Sequence, residues 1–435
     1  MKYLSTKGRA EPVSLREAVL KGMPDDGGLF FPEHIPRVST EFLREMDALS
    51  FQEISLEVAR LFFSEDISEE ELEGFIRNSI TFDAPLKRVK ENVYSLELFF
   101  GPTLAFKDFG ARFMAEMVSY FAKKEGKKLT VLVATSGDTG SAVANAFYQK
   151  EGIEVFILYP SGKISKNQEL QITTYDKNIT ALEIKGTFDD CQRLVKTAFL
   201  DRELNDRLNL TSANSINIAR LIPQSFYYFY GFSQLKGRKE RVIISVPSGN
   251  FGNLTAGIIA KKMGLPIHKF VASTNINDAV PLYLKTGRFE PKESKRTISS
   301  AMDVGDPSNF ARILYIYGND LNRIREDIVG WSFDDEETKD TIGEVYQRYD
   351  YLLDPHGAVA FLGLSKAMEE INGASGIFLE TAHPAKFFDI IEPIIKRQVE
   401  LPSGLREVLS KRKRSIILSR SFSEFKGFLL ETTKR

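Results

Sequence analysis

From Val93 onward the chain repeats one pattern: a short, unbroken apolar run, then a stretch of helical length, then another run. VYSLELFF, LTVLVATS, EVFILYP, RVIISVPS, KFVAST and SGIFLET are the runs. An alternating strand leaves one face to water, whereas a continuous apolar strand has both faces covered; parallel strands joined through helices provide that cover. The expected fold class is α/β, with mostly parallel sheets flanked by helices. Residues 1 to about 90 differ. MPDDGGLFFPEHIP, with adjacent glycines and three prolines, reads as a rigid loop, and SEEELEGFIRNSI opens a helix on a capping box, Ser68 with Glu71.

At 435 residues the chain is long for one core, and a 43% hydrophobic content is enough to fill two or three. We expect a helical N-terminal extension over 1–92 packed on the large lobe, then a lobe over 93–230 in which 112–225 is the mobile part. A second lobe over 231–435 ends in helices, with the boundary near the polar stretch GFSQLKGRKE. A net charge of −1 supplies no broad field for nucleic acid or an anionic membrane, so the expected ligand is a small molecule. MKYLSTKGRAEPVSL lacks the apolar core of a signal peptide, which points to a cytoplasmic protein. The single cysteine, Cys191, reads as a buried structural thiol. Four histidines, His34, His268, His356 and His383, have no metal-ligand spacing, so no metal is expected, and neither a Walker A nor a GxGxxG sequence occurs.

Two strand–loop–helix units carry the chemistry. In LTVLVATSGDTGSAVANAFYQKEG a strand ends at Thr135, and the loop Ser136-Gly137-Asp138-Thr139-Gly140 leads into a helix. One such turn is compatible with plain structure, since a βα turn needs a glycine and a cap in any case. RVIISVPSGNFGNLTAGIIAKKMG repeats the plan, with the loop Ser248 to Asn253 and a helix from about Leu254. Two glycine loops opening helices make two anion cradles. Ahead of both lies FGPTLAFKDFG. Phe109, Phe113, Met117 and Phe121 fall at spacing four, so a helix follows Asp108 as its N-cap. Lys107 then sits at a helix N-terminus among Phe100, Phe106 and Phe109, where dipole and burial both lower an ammonium's pKa. A nucleophilic lysine with one cradle for a phosphate and one for a carboxylate fits pyridoxal phosphate (PLP) and an amino acid substrate.

PTLAFKDFG, ATSGDTGSA, NSINIARLIPQ, PSGNFGN, DPHGAVAF and LETAHPAKF occur along the chain in the family's order. Together they resemble the threonine synthases, PLP enzymes of fold type II, the two-lobed tryptophan synthase β-subunit type. MPDDGGLFFP resembles the longer of that family's two groups, so the likeness runs from there to Lys386. The resemblance implies a carbon–oxygen lyase acting on phosphates, which converts O-phospho-L-homoserine and water to L-threonine and phosphate as the last step of threonine biosynthesis. It implies Lys107 as Schiff-base lysine and catalytic base, and Gly249, Asn250, Phe251, Gly252 and Asn253 as the cofactor phosphate loop. It also implies Ser136, Gly137 and Thr139 at the substrate carboxylate, Thr381 facing the pyridine nitrogen, and Asn214, Ser215 and Arg220 at the substrate phosphate. Asp138 stands where the wider fold type usually has asparagine. A carboxylate would repel the substrate's own, so Asp138 either contacts the cofactor or caps its helix. Strand alternation turns Glu380 to the face opposite Thr381.

A serine/threonine dehydratase or a related phospholyase shares the lysine and the loops, and is separated by its products. A non-catalytic anion- or nucleotide-binding module leaves Lys107 unexplained. Nucleic-acid binding through SKRKRS, Ser410 to Ser415, rests on one short basic run that reads better as a solvated helix face. The sequence is equally compatible with a monomer and a homo-oligomer.

Overall fold

Each of the six apolar runs becomes a strand, and the strands divide between two sheets. The computed structural model describes residues 1–135, 137–235 and 241–432. In chain order the strands are β1 (Tyr3–Ser5), β2 (Phe30–Pro32), β3 (Leu86–Lys90), β4 (Val93–Glu97), β5 (Leu129–Ala134), β6 (Ile153–Pro160), β7 (Ile179–Ile184), β8 (Leu210–Ser212), β9 (Val242–Pro247), β10 (Lys269–Thr274), β11 (Ile328–Ser332), β12 (Ser375–Glu380) and β13 (Ile416–Leu418). The large sheet has the order β11-β10-β9-β12-β4-β3, parallel except for the β3–β4 edge. The small sheet, β13-β7-β6-β5-β8, is parallel throughout. β1 and β2 form a separate antiparallel pair.

Sheet membership cuts the chain differently from the boundaries expected at 92/93 and 230/231. β3 and β4 belong with β9 to β12, and the small sheet is closed at one edge by β13 from the far C-terminus. The expected linker GFSQLKGRKE lies partly outside the described residues, which omit 236–240. The basic run SKRKRS is also used differently. Lys413 pairs with Glu169 and Glu183, each at 2.6 Å, and Arg414 pairs with Asp176 at 3.3 Å, so the run fastens the approach to β13 against the small lobe.

Six helices position the site: α1 (Lys107–Glu125), α2 (Asp138–Phe147), α3 (Lys166–Thr173), α4 (Gly252–Met263), α5 (Phe310–Ile316) and α6 (Pro355–Glu370). The stripe Phe109, Phe113, Met117 and Phe121 is buried as its spacing predicts. Phe51, Phe63 and Phe75, from two N-terminal helices, pack their rings on Phe109 and Phe113, so the extension serves as the outer wall of α1. At Ser68 the helix begins as expected, but the hydroxyl donates to Glu71 Oε2 at 3.0 Å and the reciprocal backbone bonds of a capping box are not made. Cys191 is buried in the small lobe's core. Among the described residues no helix is long and apolar enough to cross a membrane, and no His, Cys, Asp and Glu cluster suits a metal ion.

Candidate active site

Lys107 is the first residue of α1, which therefore starts ahead of the place a cap at Asp108 would give it. The reason is local. Thr103 N–H and Oγ1–H donate to the Asp108 carboxylate at 2.9 and 2.7 Å, drawing it back toward the loop instead of over the helix end. Burial raises the Asp108 pKa to about 6 against those two bonds. Ahead of the helix, Phe106 N–H donates to Thr381 O at 2.9 Å and Ala105 bridges Ala382, which fixes Lys107 at the carboxyl end of β12. Lys107 is half-buried, its Nζ 5.8 Å from the Phe106 ring centre. Burial pushes its ammonium down to about 8; Asp138 opposes the shift, and Arg220 and Lys386 add to it. The amine has no hydrogen-bond acceptor among the described residues.

The second glycine loop lies beside it. α4 starts at Gly252, two residues before the sequence suggests, because Phe251 takes the left-handed conformation at φ 60° and turns the chain into the helix. A Cβ on Gly252 would come within 3.4–3.5 Å of Asn309 and Ser215, filling the space in front of the helix end. Asn253 Oδ1 accepts from the Tyr227 and Tyr228 hydroxyls, both at 2.7 Å, while its Nδ2 is buried with no partner. Asn250 bridges the loop, donating to Ser215 Oγ at 2.7 Å and accepting from Ser308 N–H at 2.7 Å. Gly249 serves packing instead, since a Cβ there would sit 2.7 Å from Met302 Cα and shut out the neighbouring turn.

The first glycine loop is partly satisfied from within. Thr135 Oγ1 accepts from Gly137 N–H at 3.0 Å and Gly140 N–H at 2.9 Å. Ser136 lies outside the described residues. Gly137, at φ 148°, is the cap of α2, so Asp138 is its first helical residue and not its cap. The buried Asp138 carboxylate accepts from Lys386 Nζ at 2.7 Å and Gln168 Nε2 at 3.2 Å. Burial alone would raise its pKa; Lys386 and Lys107 hold it well below the ordinary carboxylate range. Thr139 is half-buried at the same helix start.

Arg220 enters because Gly110 on α1 lets the short helix Ile218–Leu221 approach; a Cβ there would lie 2.5 Å from Arg220 O. The guanidinium is buried, with Nη1 donating to Ala213 O at 2.6 Å and Nε unpartnered. Burial brings its pKa down to about 10, with Asp108 opposing. Asn214 donates to Ala134 O at 2.9 Å, and Ser215 Oγ accepts from Asn250 and Asn309. Thr381 is buried at the end of β12. Glu380 faces the other way, into a cluster with Asp354 and Glu97, where burial and Asp354 raise its pKa well above normal.

Two residues at the site are missed by motif reading. Lys386 stands in LETAHPAKF without a spacing that singles it out; only the fold brings its fully buried amine onto Asp138 and Thr103 O, the latter at 2.9 Å. Arg312, on the apolar helix α5, is the other, and an arginine interrupting a buried stripe is the signal that would have found it.

PLP fits these residues: among the described residues, an amine without an acceptor, a helix start whose cradle a Cβ would fill, and an unpartnered buried donor, Asn253 Nδ2, beside that helix start. A family model described as pyridoxal-phosphate dependent enzyme matches residues 76–379. Models described as threonine synthase N terminus and threonine synthase, C-terminal match 2–80 and 358–429. The chain is 46% identical to a threonine synthase of Haemophilus influenzae over 99% of its own length and 100% of that protein's. It resembles the crystal structure of threonine synthase from Escherichia coli with a TM-score of 0.93 and 43% identity, covering 99% of this chain and 100% of that one. The PLP-bound threonine synthase from Brucella melitensis gives a TM-score of 0.93 at 35% identity, with all of both chains covered. A PLP site with these parts, matched by relatives along its whole length, belongs to a chain of the threonine synthase family.

Proposed function

We propose that this chain converts O-phospho-L-homoserine and water to L-threonine and phosphate, with Lys107 as the residue that holds the cofactor and moves protons. Bound PLP supplies an electrophilic aldehyde and a ring that withdraws electrons from the substrate's carbons. With PLP bound, the neutral Lys107 amine would take the proton from the substrate Cα and later return one. Burial makes that form accessible near neutral pH, since an unperturbed lysine amine is almost wholly protonated there.

The N–H groups at the start of α4, with Asn253 Nδ2, hold the cofactor phosphate. Gly249, Asn250 and Phe251 shape that turn. Arg220, with Asn214 alongside, binds the substrate phosphate and stabilises its charge as it leaves Cγ, while Ser215, hydrogen-bonded to Asn250 and Asn309, backs the cofactor loop. The backbone of Gly137 and Thr139 receives the substrate carboxylate. Ser136, by sequence position, belongs with them. Asp138 is kept anionic by Lys386, so it orients the loop and faces the cofactor side with a fixed charge. Thr381 offers a neutral hydroxyl toward the ring nitrogen. The small lobe, carrying α2 and α3, closes over the substrate and excludes water until it is needed at Cβ.

One observation carries this reading: two buried donors, Asn253 Nδ2 and Arg220 Nε, without partners among the described residues, in a site built around an amine that likewise has no acceptor among them. Such groups are costly unless a ligand completes them. The test is an absorption spectrum of the PLP-loaded protein before and after O-phospho-L-homoserine, with threonine and phosphate measured together. Equal amounts of the two products are expected. A 2-oxo acid with ammonia would replace this reading with a dehydratase, and a protein that takes up no PLP would end it.

A further inference from the structure

Arg312 is completely buried, and its hydrogen bonds are unusual for a buried cation. Nε and Nη2 donate to Phe30 O at 3.2 and 2.9 Å, Nη2 also to Ile216 O at 2.6 Å, and Nη1 to Ser215 O at 3.1 Å and Asn309 Oδ1 at 2.7 Å. Every acceptor is neutral, and among the described residues no carboxylate lies within ion-pair distance. Burial alone pushes its pKa down to about 9. A desolvated charge with no counter-charge is normally selected against or replaced by an apolar side chain. Here the fork joins three pieces of chain that are far apart in sequence: β2 of the N-terminal pair, the Ser215–Ile216 turn, and the start of α5.

Two of those pieces face the α4 cradle. Asn309 spends its Oδ1 on Arg312 and its Nδ2 on Ser215 Oγ at 3.2 Å. Ser215 and Asn309 are in turn the two side chains nearest the position a Cβ would take on Gly252. The guanidinium therefore stands one residue behind the helix start that receives a phosphate. On its other side, Gly27 at φ 71° and Gly28, whose Cβ would overlap Ser5 Oγ at 2.2 Å, shape the turn that delivers Phe30 O.

We propose that Arg312 is a positioning residue, which holds Ser215 and Asn309 in place behind the phosphate end of the cleft and anchors them to the N-terminal strand pair. This assigns a purpose to the glycine turn of MPDDGGLFFP, which no step of the reaction uses. The bound phosphate then supplies the negative charge that the protein itself withholds from Arg312. The proposal rests on the reading of the α4 start as the cofactor phosphate site.

The test uses the PLP-loaded enzyme. Arg312→Lys keeps the charge and removes the fork, and the single nitrogen of lysine, with three donors, cannot span the four separated acceptors. PLP release on dilution, followed by loss of visible absorbance, is expected to be about tenfold faster than for the unsubstituted protein, or about 1.4 kcal/mol of affinity if capture is unchanged. Asn309→Ala should act in the same direction, and the double variant should release PLP more slowly than the product of the two effects, because one path carries both. Unchanged release in Arg312→Lys, or two effects that multiply independently, would overturn the proposal. Melting temperature serves as the control: a role in structure alone lowers it without changing release. An unsubstituted protein that binds PLP and turns over while the variants release it normally sinks this inference only; one that takes up no PLP sinks the underlying reading instead.

Discussion

Lys107 shows how one side chain's chemistry is set by what surrounds it, and it makes a test available at residue scale. The sequence shows an amine at a helix start among phenylalanines, and the expected depression follows from burial and dipole. It could not show Lys386 and Arg220 adding to that depression, since both arrive from distant segments. With a pKa of about 8, the amine is mostly ammonium at about pH 6 and mostly neutral at about pH 9. The rate at which apoprotein captures PLP should therefore climb with pH and level off above that value, and Lys107→Ala should show no capture. A profile that keeps rising to about pH 10, as for an ordinary lysine, contradicts the assignment. Lys386 gives a second case. Removing it by Lys386→Met leaves Asp138 buried and charged, which costs about 3–5 kcal/mol for a desolvated pair broken on one side. Asp138→Asn in the same chain should recover part of that loss in a melting experiment; a double variant no more stable than Lys386→Met would refute the pair's importance.

At the scale of elements, the six strands with continuous apolar runs were legible because burial on both faces leaves no other composition. β7, β11 and β13 were not. β7 carries Thr180 and Glu183; burial works to raise the Glu183 pKa, but Lys413 and two serine hydroxyls draw it down to about 2. β11 contains Gly330, and β13 has three residues at a sheet edge. The loops were legible as glycine turns, but what each glycine makes room for was not. Gly137 combines φ 148° with a Gln168 side chain that a Cβ would approach to 2.5 Å. Gly137→Ala should leave PLP bound, since the α4 cradle is elsewhere, and lower kcat/KM for O-phospho-L-homoserine by at least about tenfold. Loss of PLP with normal turnover of whatever remains loaded would reverse the roles given to the two loops.

For the whole molecule, the α/β class was readable from the sequence, and the assignment of segments to sheets was not, because sheet partners are chosen by packing between residues hundreds of positions apart. Among the described residues, bonds that span the gap between the lobes include Lys386 to Asp138, Gln171 Nε2 to Thr103 O at 3.2 Å, and Asn167 Nδ2 to Lys386 O at 3.4 Å. The small lobe's other seam is β13 and the helix Phe422–Thr432, whose Leu418, Phe425 and Leu429 lie in one core with Leu132, Phe156 and Leu182. Deleting residues 411–435 strips that core and bares the β7 edge, so the truncated protein should unfold in two calorimetric transitions, the lower from the small lobe, and should aggregate on heating. A single transition at the full-length temperature would show that the segment is dispensable.

The late arrival of β13 also bears on how the protein is made. β5 to β8 precede β13 along the chain, so during synthesis they emerge well before the strand that covers their exposed margin, and the nascent small lobe waits with an open border until β13 is made. Catalytic competence then waits on the chain being extended through β13 and the helix after it, because these complete the lobe that carries Asp138.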